Sequence, residues 1–223
     1  MSELFSIQLQ NRQQQGRDGV WLDLPTTTEQ VQATLRQIGI SSDNPQGLFI
    51  SGYFAEEEKR FAIPYNMVLA SNVDALNFLA AQLETLSAGE RAELNAALQA
   101  PQSELFSIGR ITDFPENVDY YVHLPDVHGP AQLGDYYLNR SGMVDMPEEW
   151  KGGIDTAQFG RYVAQQEQGA FTQYGYLVKS GDEWQKVHEG QPVPEEYRVM
   201  TFQDDLPEEE KSEWAMDIAF DMD

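Results

Sequence analysis

Phe5, Ile7 and Leu9 alternate with polar residues, the period-two pattern of a strand with one buried face. Gly16–Gly19 supplies turn chemistry, Val20–Leu24 resumes as a second strand, and Pro25 ends it. Thr26–Thr28 offer N-caps to a helix whose apolar residues Val31, Leu35 and Ile38 share one face, and Gly39 closes it. Leu48–Phe54 reads as a third strand, followed by an exposed turn, "EEEKR". Residues 61–70 are apolar but contain Pro64, which predicts an irregular or edge segment. Ser71 or Asn72 then caps a helix carrying Leu76, Leu79, Leu83 and Leu86. Ser87–Glu90 is a capping box that opens another helix through Leu94 and Leu98, and Gln99–Gln102 is the best linker in the chain.

The hexamer SELFSI occurs at Ser2–Ile7 and again at Ser103–Ile108. The first copy keeps period two. In the second, Leu105, Ile108 and Ile111 fall three apart, which predicts a short helix capped by Ser103. The echo is therefore read as coincidence, not as a duplicated domain. Asp119–Leu124 follows as a strand, then a helix begun by Pro130 with Leu133, Tyr137 and Leu138. Met146–Trp150 reads as a short helical turn, and Asp155 caps a helix bearing Phe159 and Tyr162. Gly169–Val178 is a strand pair or bent strand, and Glu196–Phe202 a further strand. The last residues predict an acidic helix, with Pro207 near its first turn and Trp214, Ile218 and Met222 on one face. The fold class is α+β.

Composition changes this picture in one respect. Fourteen Lys and Arg face 37 Asp and Glu, a net charge of −23. Residues 1–102 hold 12 acidic and 6 basic residues, and residues 103–223 hold 25 and 8. Nucleic acid and anionic membranes repel such a chain, so its expected partners are cations or basic protein surfaces. A hydrophobic fraction of 41% is enough for a real core. With no cysteine, disulfides and thiolate chemistry are excluded. Neither an apolar leader nor a membrane-spanning run is visible, so a cytoplasmic location is expected.

Catalytic chemistry finds little support. His123, His128 and His188 are scattered, and no zincin, nucleophile-elbow, phosphate-loop or dinucleotide motif is present. No metal site, cofactor or enzymatic activity is expected. The carboxylates are better read as an ensemble. Side chains three or four apart on a helix lie roughly 5–6 Å apart, and a DNA strand advances about 3.4 Å per phosphate. Asp113, Glu116 and Asp119 fall at steps of three, and Asp145, Glu148 and Glu149 are similarly grouped. A groove lined with Lys and Arg would be attracted to such a face without any base edge being read.

Particular segments carry a resemblance. Gly19–Pro25, Ile38–Ile40, Leu48–Phe54 and Asn72–Leu86 in the first half, then "LGDYYLNRSGM", "MPEEW", "GIDTAQFGRYV" and "GAFTQYGYLV" in the second, resemble the ArdA antirestriction proteins in order and spacing. These are DNA mimics that inhibit type I restriction–modification enzymes. The resemblance covers about residues 5–178 and implies an elongated chain of small mixed α/β modules, here at 1–60, 61–102 and 103–178, with 179–223 as an extension. It implies a homodimer, contact with the methyltransferase core of the enzyme, and no binding of nucleic acid or membrane by the chain itself. The candidate phosphate-like carboxylates are Asp113, Glu116, Asp119, Asp126, Asp135, Asp145, Glu148, Glu149 and Asp155. The alternative is an acidic adaptor that binds a basic protein through its C-terminal helix.

Overall fold

A computed structural model describes residues 4–14, 18–56, 60–101 and 103–201. They form two compact units, neither continuous in sequence. The described residues up to 60, with 64–84 and those from 191 onward, make the first; 61–63 and 85–190 make the second.

The first unit is built on an antiparallel sheet ordered β2-β1-β3, from β1 (Phe5–Asn11), β2 (Val20–Leu24) and β3 (Leu48–Phe54). Ile7 lies opposite Leu22 on one side and Tyr53 on the other, so one face collects Phe5, Ile7, Leu9, Leu22 and Leu24 in the core. A bulge between Gln8 and Leu9 shifts the β1–β3 register. Helix α1 (Thr28–Gln37) starts at a capping box between Thr27 and Gln30 and buries Val31 and Leu35. Gly39, with φ +68°, takes the left-handed conformation that ends it. Short α2 (Tyr65–Leu69) begins just after Pro64, where the sequence predicts an irregular stretch: proline is well placed at a helix start. Helix α3 (Val73–Glu84) is capped by Asn72, whose Oδ1 accepts the Ala75 N–H at 2.8 Å. Leu76, Leu79 and Leu83 are fully buried, each contributing about 1.5–3 kcal/mol.

The expected strand at Glu196–Phe202 is absent among the described residues. In its place Glu195–Tyr197 forms a 3-10 turn, and the chain is held by side chains of the same unit. Asp74 Oδ1 accepts the N–H groups of Val199 and Met200, each at 2.8 Å, and Asn77 Nδ2 donates to Tyr197 O. Tyr197 packs on Phe78, and Val199 is buried. A carboxylate and an amide thus satisfy backbone groups that a sheet would otherwise have paired. Phe202 and the acidic helix expected from Pro207 onward lie outside the described residues.

In the second unit the sheet runs β4-β6-β5, all antiparallel, from β4 (Tyr121–Leu124), β5 (Ala170–Thr172) and β6 (Gly175–Lys179). Helix α4 (Ala88–Gln99), opened by the Ser87–Glu90 capping box, packs against β6 and β4. Helices α6 (Pro130–Asn139) and α8 (Thr156–Glu167) form the tightest pair of elements. Their contact depends on two glycines: a Cβ at Gly134 would overlap the Thr156 carbonyl oxygen, and one at Gly160 the Pro130 carbonyl oxygen. Val127, Leu133 and Tyr176 are the buried centre, with Leu124, Tyr136, Phe171 and Val178 packed around them. Asp155 caps α8 by accepting the Gln158 N–H at 2.9 Å, and α7 (Glu148–Lys151) is a single turn.

The two SELFSI copies differ, but the second is not itself helical: helix starts only at its last residue, Ile108. Phe5 in β1 is 1% exposed, while Phe106 is 64% exposed under the Arg110 guanidinium, 4.7 Å from its ring centre. The second copy leads into α5 (Ile108–Thr112), but Ser107, not Ser103, provides the cap through the Arg110 N–H. Ser103 instead accepts the Leu105 N–H in a local turn.

Candidate functional site

The nine sequence-selected carboxylates do not share one environment. Asp113 is 0% exposed. Its Oδ1 accepts the His188 N–H at 2.6 Å and its Oδ2 the Glu189 N–H at 3.2 Å. A carboxylate enclosed in this way cannot present its charge to a partner, so Asp113 leaves the candidate set. The cause is tertiary. Asp113 is the junction between α5 and the 3-10 segment Phe114–Tyr120, itself interrupted at non-helical Asn117, and the backbone N–H groups of residues 188 and 189 hold its carboxylate on the inner side, away from 116 and 119. Glu116 and Asp119 do stand exposed.

Behind Asp119 lies a carboxyl group that sequence reasoning missed. Glu93, on α4, has one side-chain oxygen buried without a hydrogen-bond partner. Burial first, then the neighbouring charges of Glu90 and Asp119, push its pKa up to about 8. The Glu90–Glu93 spacing, one helical turn, was visible in the sequence as a like-charge pair. The approach of Asp119 is tertiary and was not. Glu90 itself titrates below the usual carboxylate range, because the Ser87 side chain and backbone at the helix start hydrogen-bond to it.

Asp126 is exposed in the turn after β4. Asp135, on α6, is half-exposed and engaged: Asn139 and Arg140 both donate to it at 2.8 Å, which lowers its pKa. Asp145 and Glu149 are exposed, whereas Glu148 pairs with Lys151 at 2.7 Å. Asp155 is exposed as well as capping. Asp182 and Glu183, beyond the sequence-selected set, add two more exposed acids.

The electrostatics follow from where the cations are spent. The second unit holds 16 acidic and 7 basic residues. Five of the seven are tied internally. Arg110, almost buried, bridges Glu104 at 3.0 Å and Glu189 at 3.2 Å. Lys179 meets Glu104 at 2.6 Å, and Lys186 meets Glu189 at 3.3 Å. Arg140 and Lys151 take Asp135 and Glu148. The hydrogen bond from Lys179 is the main reason that Glu104 titrates low. Among the described residues, Glu116, Asp119, Asp126, Asp145, Glu149, Asp155, Asp182 and Glu183 have no Lys or Arg partner, so the net negative field is carried at the surface.

Two further polar clusters of the second unit are engaged within it. His123 Nε2 sits 2.7 Å from the Tyr174 carbonyl oxygen, which fixes the proton on that nitrogen. The Glu167 carboxylate accepts the hydroxyls of Tyr137 and Tyr176, and both phenols are held well above their ordinary pKa by burial and by that carboxylate. Among the described residues no group of three His, Asp or Glu is placed to hold a metal ion, and no helix is long and apolar enough to cross a membrane.

The family model described as antirestriction protein (ArdA) matches residues 15–178. No curated protein matches the sequence.

Proposed function

The chain belongs to the ArdA antirestriction family, and from that premise we propose that it acts as a stand-in for the DNA backbone, occupying the DNA-binding groove of a type I restriction–modification enzyme at its methyltransferase core. The observation that supports this reading is the separation of charge in the second unit. Five of its seven cations are consumed in internal pairs, while Glu116, Asp119, Asp126 and Glu149 stay exposed and without a cationic partner among the described residues. Lys and Arg that neutralise phosphates release condensed counterions when they bind DNA. Fixed carboxylates can satisfy the same side chains, and because phosphate contacts position without specifying, no imitation of base edges is required.

The test is displacement of a labelled duplex from a type I methyltransferase core. The chain should displace it, and the quadruple variant Glu116→Gln, Asp119→Asn, Asp126→Asn, Glu149→Gln should be at least tenfold weaker, about 1.4 kcal/mol. A folded quadruple variant that competes as well as the parent would rule out these side chains as the phosphate-like set.

A further inference from the structure

The segment carrying Glu116 and Asp119 has an inner side as well as an outer one. On that inner side Asp113 and Asn117, both buried, face a stretch of chain that lies beyond the residues matched by the family model. Asn117 Oδ1 accepts the Gln185 N–H at 2.7 Å, and its Nδ2 donates to Gln185 O at 3.0 Å and to Asp113 O at 2.7 Å. Asp113 accepts the N–H groups of His188 and Glu189. Trp184 sets its ring edge-on to Tyr120, 5.1 Å between centres, and Arg110 lies 5.6 Å over the same Trp184 ring while bonding Glu189. One side chain from each turn of the 114–120 segment is thus committed to residues 184–189, from a distance of about seventy positions along the chain.

Phe114 anchors the start of this segment in the core, but its later residues get little from their own backbone. The segment is 3-10, with Asn117 at φ −129° and ψ 24° outside helical values, and short 3-10 turns have weak internal hydrogen bonding. We propose that residues 184–189 are a strap that fixes the 114–120 segment, and that Asn117 and Asp113 are positioning residues through which the strap presents Glu116 and Asp119 to a partner. The proposal rests on the reading of those two carboxylates as partner-facing. Its physical content is preorganisation: charges held in place before binding lose less conformational freedom on contact than charges on a loose loop.

Two variants test it, Asn117→Ala, which removes both bonds to Gln185, and Trp184→Leu, which removes the ring contact. Amide hydrogen exchange at residues 114–120 should quicken about tenfold or more in each, while β6 exchanges as before. Duplex competition by Asn117→Ala should weaken several-fold, and adding Glu116→Gln and Asp119→Asn to it should cost little more, because the two lesions share one cause. A merely structural role would leave the losses multiplicative, and that outcome overturns the proposal. So does unchanged exchange at 114–120 in both variants. If Glu116→Gln with Asp119→Asn in the otherwise unaltered chain leaves competition intact, the reading of these two carboxylates as partner-facing fails, and the proposal with it; the exchange data separate that failure from failure of the strap.

Discussion

Glu93 shows how a single residue links the acidic surface to stability. Its carboxyl is held neutral in the folded chain to about pH 8, whereas in the unfolded chain it ionises near 4.5. The folded state therefore binds the proton more tightly, and between those two values stability falls as pH rises. Above the upper value Glu93 is ionised beside Glu90 and Asp119, and the penalty is complete. Glu93→Gln should accordingly raise the melting temperature at pH 8.5 and leave it nearly unchanged at pH 4.5. An equal effect at both values would show that Glu93 is not the titrating group. Asp113 teaches the converse lesson about legibility. A spacing of three marks Asp113, Glu116 and Asp119 as equals in the sequence, but what separates them is a pair of N–H groups some seventy-five residues away. Nothing local records that partnership, so charge alone overstates the surface by one carboxylate.

At the scale of elements, the motif segments that carry the family resemblance acquire a mechanical meaning. Gly134 in "LGDYYLN" and Gly160 in "DTAQFG" are the points where α6 and α8 touch backbone to backbone. Gly134→Ala or Gly160→Ala should destabilise the protein by about 1–3 kcal/mol, the usual cost of forcing extra volume into a packed contact, seen as a lower urea midpoint. Gly142, with open space around its missing Cβ but φ +70°, separates conformational strain from crowding as a control. Elements whose cues are local were readable in advance: the period-two strand β1, the strand β2 before Pro25, the threonine cap before α1, the capping box before α4, the Asp155 cap and the Pro130 start. Elements whose reasons are distant were not. Tyr197–Met200 has the β-prone composition of a strand, yet it is fixed by Asp74 and Asn77 as a turn and extended chain, because tertiary partners override propensity. The same applies to the cap of α5. Ser103 and Ser107 are equivalent by residue type, and only the folded chain separates them, Ser107 accepting the Arg110 N–H at the helix start and Ser103 the Leu105 N–H in a turn.

For the whole molecule the governing quantity is the net charge of −23 on a chain with an ordinary hydrophobic fraction. The buried positions account for the fold without demanding that excess: the cores of both units are Leu, Ile, Val, Phe and Tyr, and the buried ions are matched, Arg110 with two carboxylates and Asp113 with two N–H groups. Among the described residues the unmatched carboxylates are therefore at the surface, a distribution that favours basic partners. Its contribution to binding must be ionic, and ionic contributions are damped as the screening length shrinks to about 8 Å at physiological ionic strength. The most direct measurement is competition between this chain and duplex DNA for a type I methyltransferase core across a salt series. Strong displacement at low ionic strength that declines steadily as salt rises is the expected result. No displacement at low salt, or displacement indifferent to salt, would contradict the account.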